Sequence, residues 1–459
     1  MVIPDPDKRD PTSQHATAAL LTGPILPLLL RFSLPNMVAM VAIALATMAE
    51  TSYVGQLGAS ALAGMALVFP FVMLQMMLSA GAMGGGVSSA VSRALGAGDT
   101  SRANALAVHA LWIGIGAGTV FMLLMEVLGP TLMSLLGGKG EALSQAAAYG
   151  EVAFAGSIFM WVVNTLCSVI RGSGNMRVPS VTLLMVALAQ VVLGGALGLG
   201  WFALPALGMR GVAAGGVVAN AAGALFLWGY LASGRGVVRL DMHATRLERT
   251  HLFEILKVGA VACISPLQTV LTVLILTRLV ASLGTQALAG YGIGTRLEFL
   301  LVPIAFAVGV ASVPLVGMAI GAGHIVRARQ AAWTAATLAT VLLGALGIVV
   351  AVAPQLWTSL YTQDARVMAS SASYFLWAGP FYGFFGLGLS LYFSSLGAGK
   401  AAGPVLAGTL RLLVIAVGGV LLAWFDAPAW MIFALVGAGM AVYGISSVLF
   451  MKATPWGRP

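Results

Sequence analysis

The stretch "ATMAETSYVGQLG" (46–58) places a carboxylate, Glu50, where it can do ion chemistry. Between Arg31 and Arg93 it is the only Asp, Glu, Lys or Arg, alone in 61 residues of largely apolar sequence. An ionised carboxylate in hydrocarbon is costly unless paired, and such acids usually face a cavity or a partner. Low-dielectric surroundings favour the neutral acid and a nearby cation favours the ionised one, so an acid placed this way can hold either a proton or a cationic substrate. The bland alternative is a position at the outer interface, because Gly58 lies eight residues on, about 12 Å of helix.

Glu298, in "GTRLEFLLVP", is a secondary acid candidate. Arg296 is two residues away and so lies off its helix face, whereas Arg278 is within reach of either residue. We read an ion pair between neighbouring helices here, the alternative being a second coupling or cargo site. Candidate substrate contacts are Met73 and Gln75 in "MLQMMLSAGAM", with Tyr53, Asn164 and Gln190. Methionine is adaptable and suits varied cargo, although a Met run in a membrane helix is also ordinary packing. Asn164 and Gln190 need hydrogen-bond partners in lipid, and a hydrated cavity shared with Glu50 would supply them. The histidines (His15, His109, His243, His251, His324) have no metal-ligand spacing and no nucleophile–base pair stands out, so a membrane enzyme is improbable and no cofactor is expected. Cys167 and Cys263 fall in apolar runs and read as small buried hydrophobes.

The elements that must position these groups are set by composition. Of 459 residues, 59% are hydrophobic and 8% charged, too few charges for a water-soluble domain. Apolar runs long enough to cross a bilayer recur twelve times, at about 26–50, 59–85, 105–128, 147–170, 178–200, 210–232, 253–281, 287–318, 331–353, 371–395, 402–424 and 427–450. Their continuity argues for helices rather than an outer-membrane barrel, so we expect an all-α membrane protein of twelve transmembrane helices. Setting aside Arg31, Arg278, Arg296 and Arg411 within or beside the runs, sixteen of nineteen basic residues fall on one side, Arg93, Arg102, Arg171 and Lys400 among them. The excess places both termini in the cytoplasm and gives the net charge of +9 an orienting use, with no nucleic-acid partner. The N-terminal sequence has no cleavable-signal pattern, and we expect a multi-pass protein of a bacterial inner membrane.

The chain repeats itself at an offset of 224 to 226 residues: "GASALAG" (58–64) returns as "GTQALAG" (284–290), "GAGDTSRA" (96–103) as "GAGHIVRA" (321–328) and "GSGNMRVP" (172–179) as "GAGKAAGP" (397–404). Pro130 and Tyr149 likewise match Pro354 and Tyr374. Six helices separate each pair, so the two six-helix bundles form a parallel repeat, the plan of an alternating-access carrier. We divide the chain into an N-terminal tail 1–24, a lobe 25–232, a cytoplasmic linker 233–256, a second lobe 257–450 and a C-terminal tail 451–459. The Gly-rich turns read as structural, since no G-x-x-x-x-G-K-[ST] accompanies them, and ATP is not the expected energy source.

"MAETSYVGQLGASALAG", "SRALGAGDTSRA", "IRGSGNMRVP", "FALPALGMRGVAAG", "GYGIGTRLEFLLVP" and "LVGMAIGAG" together resemble the multidrug and toxic compound extrusion (MATE) family over nearly the whole chain. The resemblance implies two lobes in a V and export of organic cations or amphipathic drugs, driven by inward proton or sodium movement in a protein acting as a monomer. The sodium-associated, NorM-like branch usually carries a Glu in helix seven and an Asp in helix ten. Here "CISPLQTVLTVLILTRL" and "SYFLWAGPFYGFFGLGLSLYFSS" contain neither. The DinF-like branch places its acid in helix one, near an Asn and an Asp of helix five. In this chain Gln190 stands at the Asn position and Gly194 at the Asp position. The resemblance therefore points to Glu50 as the cation-coupling residue of a proton antiporter closer to the DinF-like branch, with sodium coupling or a lipid-linked saccharide flippase as alternatives.

Overall fold

The computed structural model describes residues 20–201, 205–242 and 246–457. Most of the N-terminal tail, part of the linker, the start of "FALPALGMRGVAAG", Lys8, Arg9, His15, His243 and Arg458 lie outside the described residues. Within them every regular element is helical.

In chain order the rods are α1 (Ile25–Val54), α2 (Ala59–Gly96), α3 (Thr100–Leu135), α4 (Gly140–Ala155 with Ser157–Gly172), α5 (Arg177–Leu199) and α6 (Gly208–Ala232). The second half continues with α7 (Arg249–Ala281), α8 (Thr285–Gly321), α9 (Ile325–Val352), α10 (Ala365–Ala378 with Tyr382–Gly397), α11 (Ala402–Trp424) and α12 (Ala429–Ala453). Among the described residues ten helices are long and apolar enough to cross a membrane, eleven if α4, bent by 48°, is one span. The expected run 371–395 is thus not one continuous helix. It is split by the 3-10 turn Gly379–Phe381, where Pro380 cannot donate a backbone N–H.

The breaks themselves obey the repeat. Ser157 restarts α4 and Tyr382 restarts α10, 225 residues apart, and the two rods end at Gly172 and Gly397 at that same offset. The π-helical segment Met77–Met83 inside α2 has no counterpart in α8, which runs unbroken through Pro303 and Pro314. The last residues of the expected linker are helical, since α7 begins at Arg249. His109, buried in α3, anchors this segment by accepting from the Glu248 backbone N–H at 2.7 Å.

The halves meet near the end that carries most of the basic residues, called here the basic face. A Cβ on Gly96 would lie 2.1 Å from the Met318 carbonyl oxygen, and one on Gly321 would lie 2.1 Å from that of Arg93. Gly96 and Gly321 are repeat equivalents, as are Arg93 and Met318, so the two contacts are the same contact seen from opposite sides of a pseudo-two-fold axis. Gly317 and its equivalent Ser92 face each other at that axis. Only glycine permits helix backbones to approach this closely. Ser89 fastens the seam by donating to the carbonyls of Leu396 and Gly397.

One expectation about charge is corrected. Arg171, counted with the basic loops, is 1% exposed in the last turn of α4. It donates to Asn36 Oδ1 of α1 at 3.3 Å. The helix runs on to Gly172, beyond the expected end at 170, so Arg171 is a buried helix residue rather than part of a loop.

Candidate coupling and cargo site

Glu50 lies one turn before the end of α1 and is 3% exposed. It faces α4 and α5 rather than water at the interface. The Tyr149 hydroxyl of α4 donates to Oε1 at 3.1 Å, and the Gln190 amide of α5 donates to Oε2 at 2.8 Å. The ion pairs found among the described residues are Arg93–Glu254, Arg102–Glu254, Arg210–Glu151 and His251–Glu248, and none involves Glu50. Both partners of Glu50 are chemically ambivalent. A tyrosine hydroxyl donates or accepts, and an amide turned by 180° presents its oxygen instead of its NH2. The same three side chains can therefore satisfy a carboxylate or a carboxylic acid.

Tyr53, one turn after Glu50 on α1, is 4% exposed and its hydroxyl makes no hydrogen bond. A Cβ added to Gly194 would sit 2.4 Å from that hydroxyl oxygen. Gly194 is one turn from Gln190 on α5, so the Tyr53 phenol occupies the room that a carboxylate at 194 would need. Trp201 packs edge-on to the Tyr53 ring at 5.9 Å.

The other amides do not join Glu50. Asn164 of α4 donates to Ser79 Oγ at 2.8 Å, Ser79 donates to the Gln75 carbonyl at 2.8 Å, and the Gln75 amide reaches the Ser157 carbonyl at 3.4 Å. This second cluster sits where α2 turns π-helical, and it satisfies Asn164 within the protein, where a hydrated cavity shared with Glu50 was expected. Met73, two residues before Gln75, is half-buried.

Glu298 on α8 is half-buried and accepts from the Tyr374 hydroxyl of α10. The cation that acts on it is Arg411 of α11, not Arg278, and the two do not approach as an ion pair. Arg411 stacks over the rings of Phe385 and Tyr443, each centroid 5.7 Å away. Arg296 turns outward over Tyr361 at 5.0 Å. Glu126 and Glu151 are exposed, and Glu151 pairs with exposed Arg210.

Sequence reasoning missed the two tyrosines as acid partners. Tyr149 and Tyr374 were visible only as a repeat match, yet each holds the buried acid of its half. The acids themselves are not equivalent: Glu50 is on the first helix of its half and Glu298 on the second.

A two-fold repeat of helices long and apolar enough to cross a membrane, each half holding an acid against a tyrosine, is the plan of a membrane carrier. The MatE family model matches the chain twice, over residues 35–195 and 262–422, and the chain belongs to that family. Its curated relatives include the FAD transporter of Shewanella oneidensis, 27% identical over 78% of this chain and 79% of the relative. The probable multidrug resistance protein NorM of Thermotoga maritima is 26% identical over 75% of this chain and 74% of its own length. Among solved structures, a MOP-superfamily transporter from Pyrococcus furiosus superposes with a TM-score of 0.86 at 23% identity, covering 95% of this chain and 97% of the other. The likeness to that structure is one of fold.

Proposed function

We propose that this protein is a multidrug efflux carrier that exports small organic cations or amphipathic drugs by antiport, coupled to protons through Glu50. The observation that carries this reading is the Glu50 shell: a buried carboxylate with no basic partner among the described residues, held by a tyrosine and an amide that can each reverse hydrogen-bond direction. Loss of a proton creates a negative charge whose missing counter-ion is the cationic cargo, and a proton arriving from outside removes that charge and releases the cargo.

On this reading the basic face is cytoplasmic in a bacterial inner membrane, with both termini on that side. The rocking bodies are residues 25–232 and 257–450, joined by the linker 233–256, and the seam at Gly96 and Gly321 closes the cytoplasmic side. The absence of acids from the helix-seven and helix-ten stretches supports a reading nearer the DinF-like branch. Met73, Gln75, Asn164, Gln190 and Tyr53 are the cargo contacts we assign.

The test is transport by purified protein in liposomes under an imposed proton or sodium gradient, with a fluorescent organic cation and with FAD as contrasting cargo. Cation movement that follows the proton gradient is the expected result. Equal driving by sodium without pH dependence overturns proton coupling. FAD movement in place of cation movement overturns the cargo class, and movement of neither redirects attention to a lipid-linked saccharide.

A further inference from the structure

On the basic face, a cavity of about 580 Å³ opens where the two halves meet. Its walls include Arg93 and Arg102 from the first half, Glu254 and Lys257 from α7, and Lys400 from the turn between α10 and α11. Four cations against one carboxylate leave a net charge of +3 in one concavity. Glu254 is already shared, accepting from Arg102 at 2.7 Å and from Arg93 at 3.4 Å. Neither Lys257 nor Lys400 has an ion-pair partner among those found in the described residues. Both are exposed.

The repeat shows that this charge is not required by the fold. Arg327, the equivalent of Arg102, donates to the backbone carbonyls of Leu20 and Gly23, whereas Arg102 points into the cavity with Glu254 as its side-chain acceptor. Asn175, the equivalent of Lys400, accepts from the backbone N–H groups of Arg177 and Val178. At the equivalent places outside the cavity, Arg327 in the second half and Asn175 in the first serve the backbone. In the cavity Arg102 and Lys400 leave guanidinium and ammonium donors facing a space large enough for a multiply charged anion.

We propose that this cavity binds a phosphate-bearing anion that bridges Arg93 and Arg102 of one half to Lys257 and Lys400 of the other, and so holds the basic face closed. Guanidinium forks and ammonium groups are suited to phosphate oxygens, and a basic hollow between helices at the membrane surface suits a lipid headgroup as well as a soluble phosphate compound. The binding does not depend on which cargo or coupling ion the carrier uses.

The full-length protein is placed in nanodiscs of pure phosphatidylcholine, in nanodiscs containing phosphatidylglycerol, and in the pure discs with inorganic pyrophosphate added. A higher unfolding midpoint with phosphatidylglycerol supports the site with a lipid headgroup as its source. A higher midpoint with pyrophosphate supports it with a soluble phosphate. In whichever arm responds, Lys257→Gln and Lys400→Gln should each weaken the apparent affinity about fivefold, while Arg235→Gln with Arg239→Gln, exposed basic residues outside the cavity, should leave it unchanged. No midpoint shift in either arm overturns the proposal. So does a shift that survives the two lysine changes, or one that the control pair removes equally.

Discussion

The two halves of this protein each bury an acid against a tyrosine placed at the same point of the repeat, and they surround it differently. Around Glu50 the hydrogen-bond partners are Tyr149 and Gln190. Around Glu298 there are Tyr374 and, at longer range, the fixed positive charge of Arg411. A duplicated scaffold thus carries one acid with no ion-pair partner among the described residues and one with the positive charge of Arg411 in its surroundings. On the proposed function the first is the acid that changes state, and the second a fixed part of the C-terminal half.

Changes at the acids should separate these roles most strongly. Glu50→Gln should lower gradient-driven efflux by about two orders of magnitude with the protein still folded, measured as transport in liposomes beside the unfolding midpoint in detergent. Glu298→Gln should leave coupling largely intact but destabilise the protein by about 1–3 kcal/mol, because a charge-assisted hydrogen bond is lost and Arg411 is left uncompensated. Equal loss of coupling in both variants would erase the distinction.

The tyrosines sharpen the comparison at smaller amplitude. Tyr149→Phe and Tyr374→Phe each remove one buried hydrogen bond, about 1 kcal/mol of stability apiece. On the proposed function only Tyr149→Phe should move the pH dependence of transport, since there Glu50 is the acid that exchanges a proton. A displaced pH profile in Tyr374→Phe would assign exchange to Glu298 as well.

Tyr53→Phe should be the mildest change. The hydroxyl has no hydrogen-bond partner to lose, so stability should stay within about 0.5 kcal/mol of the parent. The informative pair is Gly194→Asp with and without Tyr53→Ala. Alone, the new side chain collides with the phenol, and with the phenol removed it should be accommodated, visible as recovery of the unfolding midpoint.

Much of the architecture was legible because it is written in local signals: apolar runs, Gly-rich turns and the 225-residue offset. The split of α10 was less so, since Pro380 interrupts an apolar run without interrupting its hydropathy. Glu50 could be singled out by its isolation and Gln190, 140 residues away, by the family resemblance, but Tyr149, 99 residues away, could not. Such contacts depend on how helices rotate against each other, which periodicity alone does not fix. The Glu298–Arg278 pair, read from proximity in the helix order, does not form among the described residues for the same reason. Asn164 and Gln190 were read as needing partners near Glu50; Gln190 finds Glu50 itself, whereas Asn164 finds Ser79 at the π-helical turn of α2.

The reciprocal crossing of Gly96 on Met318 and Gly321 on Arg93 is the contact that two separate copies of one six-helix chain would make as a dimer. The seam therefore owes nothing to the peptide that joins the halves. A chain severed in the linker and expressed as two fragments has the surfaces it needs to reassemble, and in such a pair the linker's remaining contribution would be to keep the two partners at equal number.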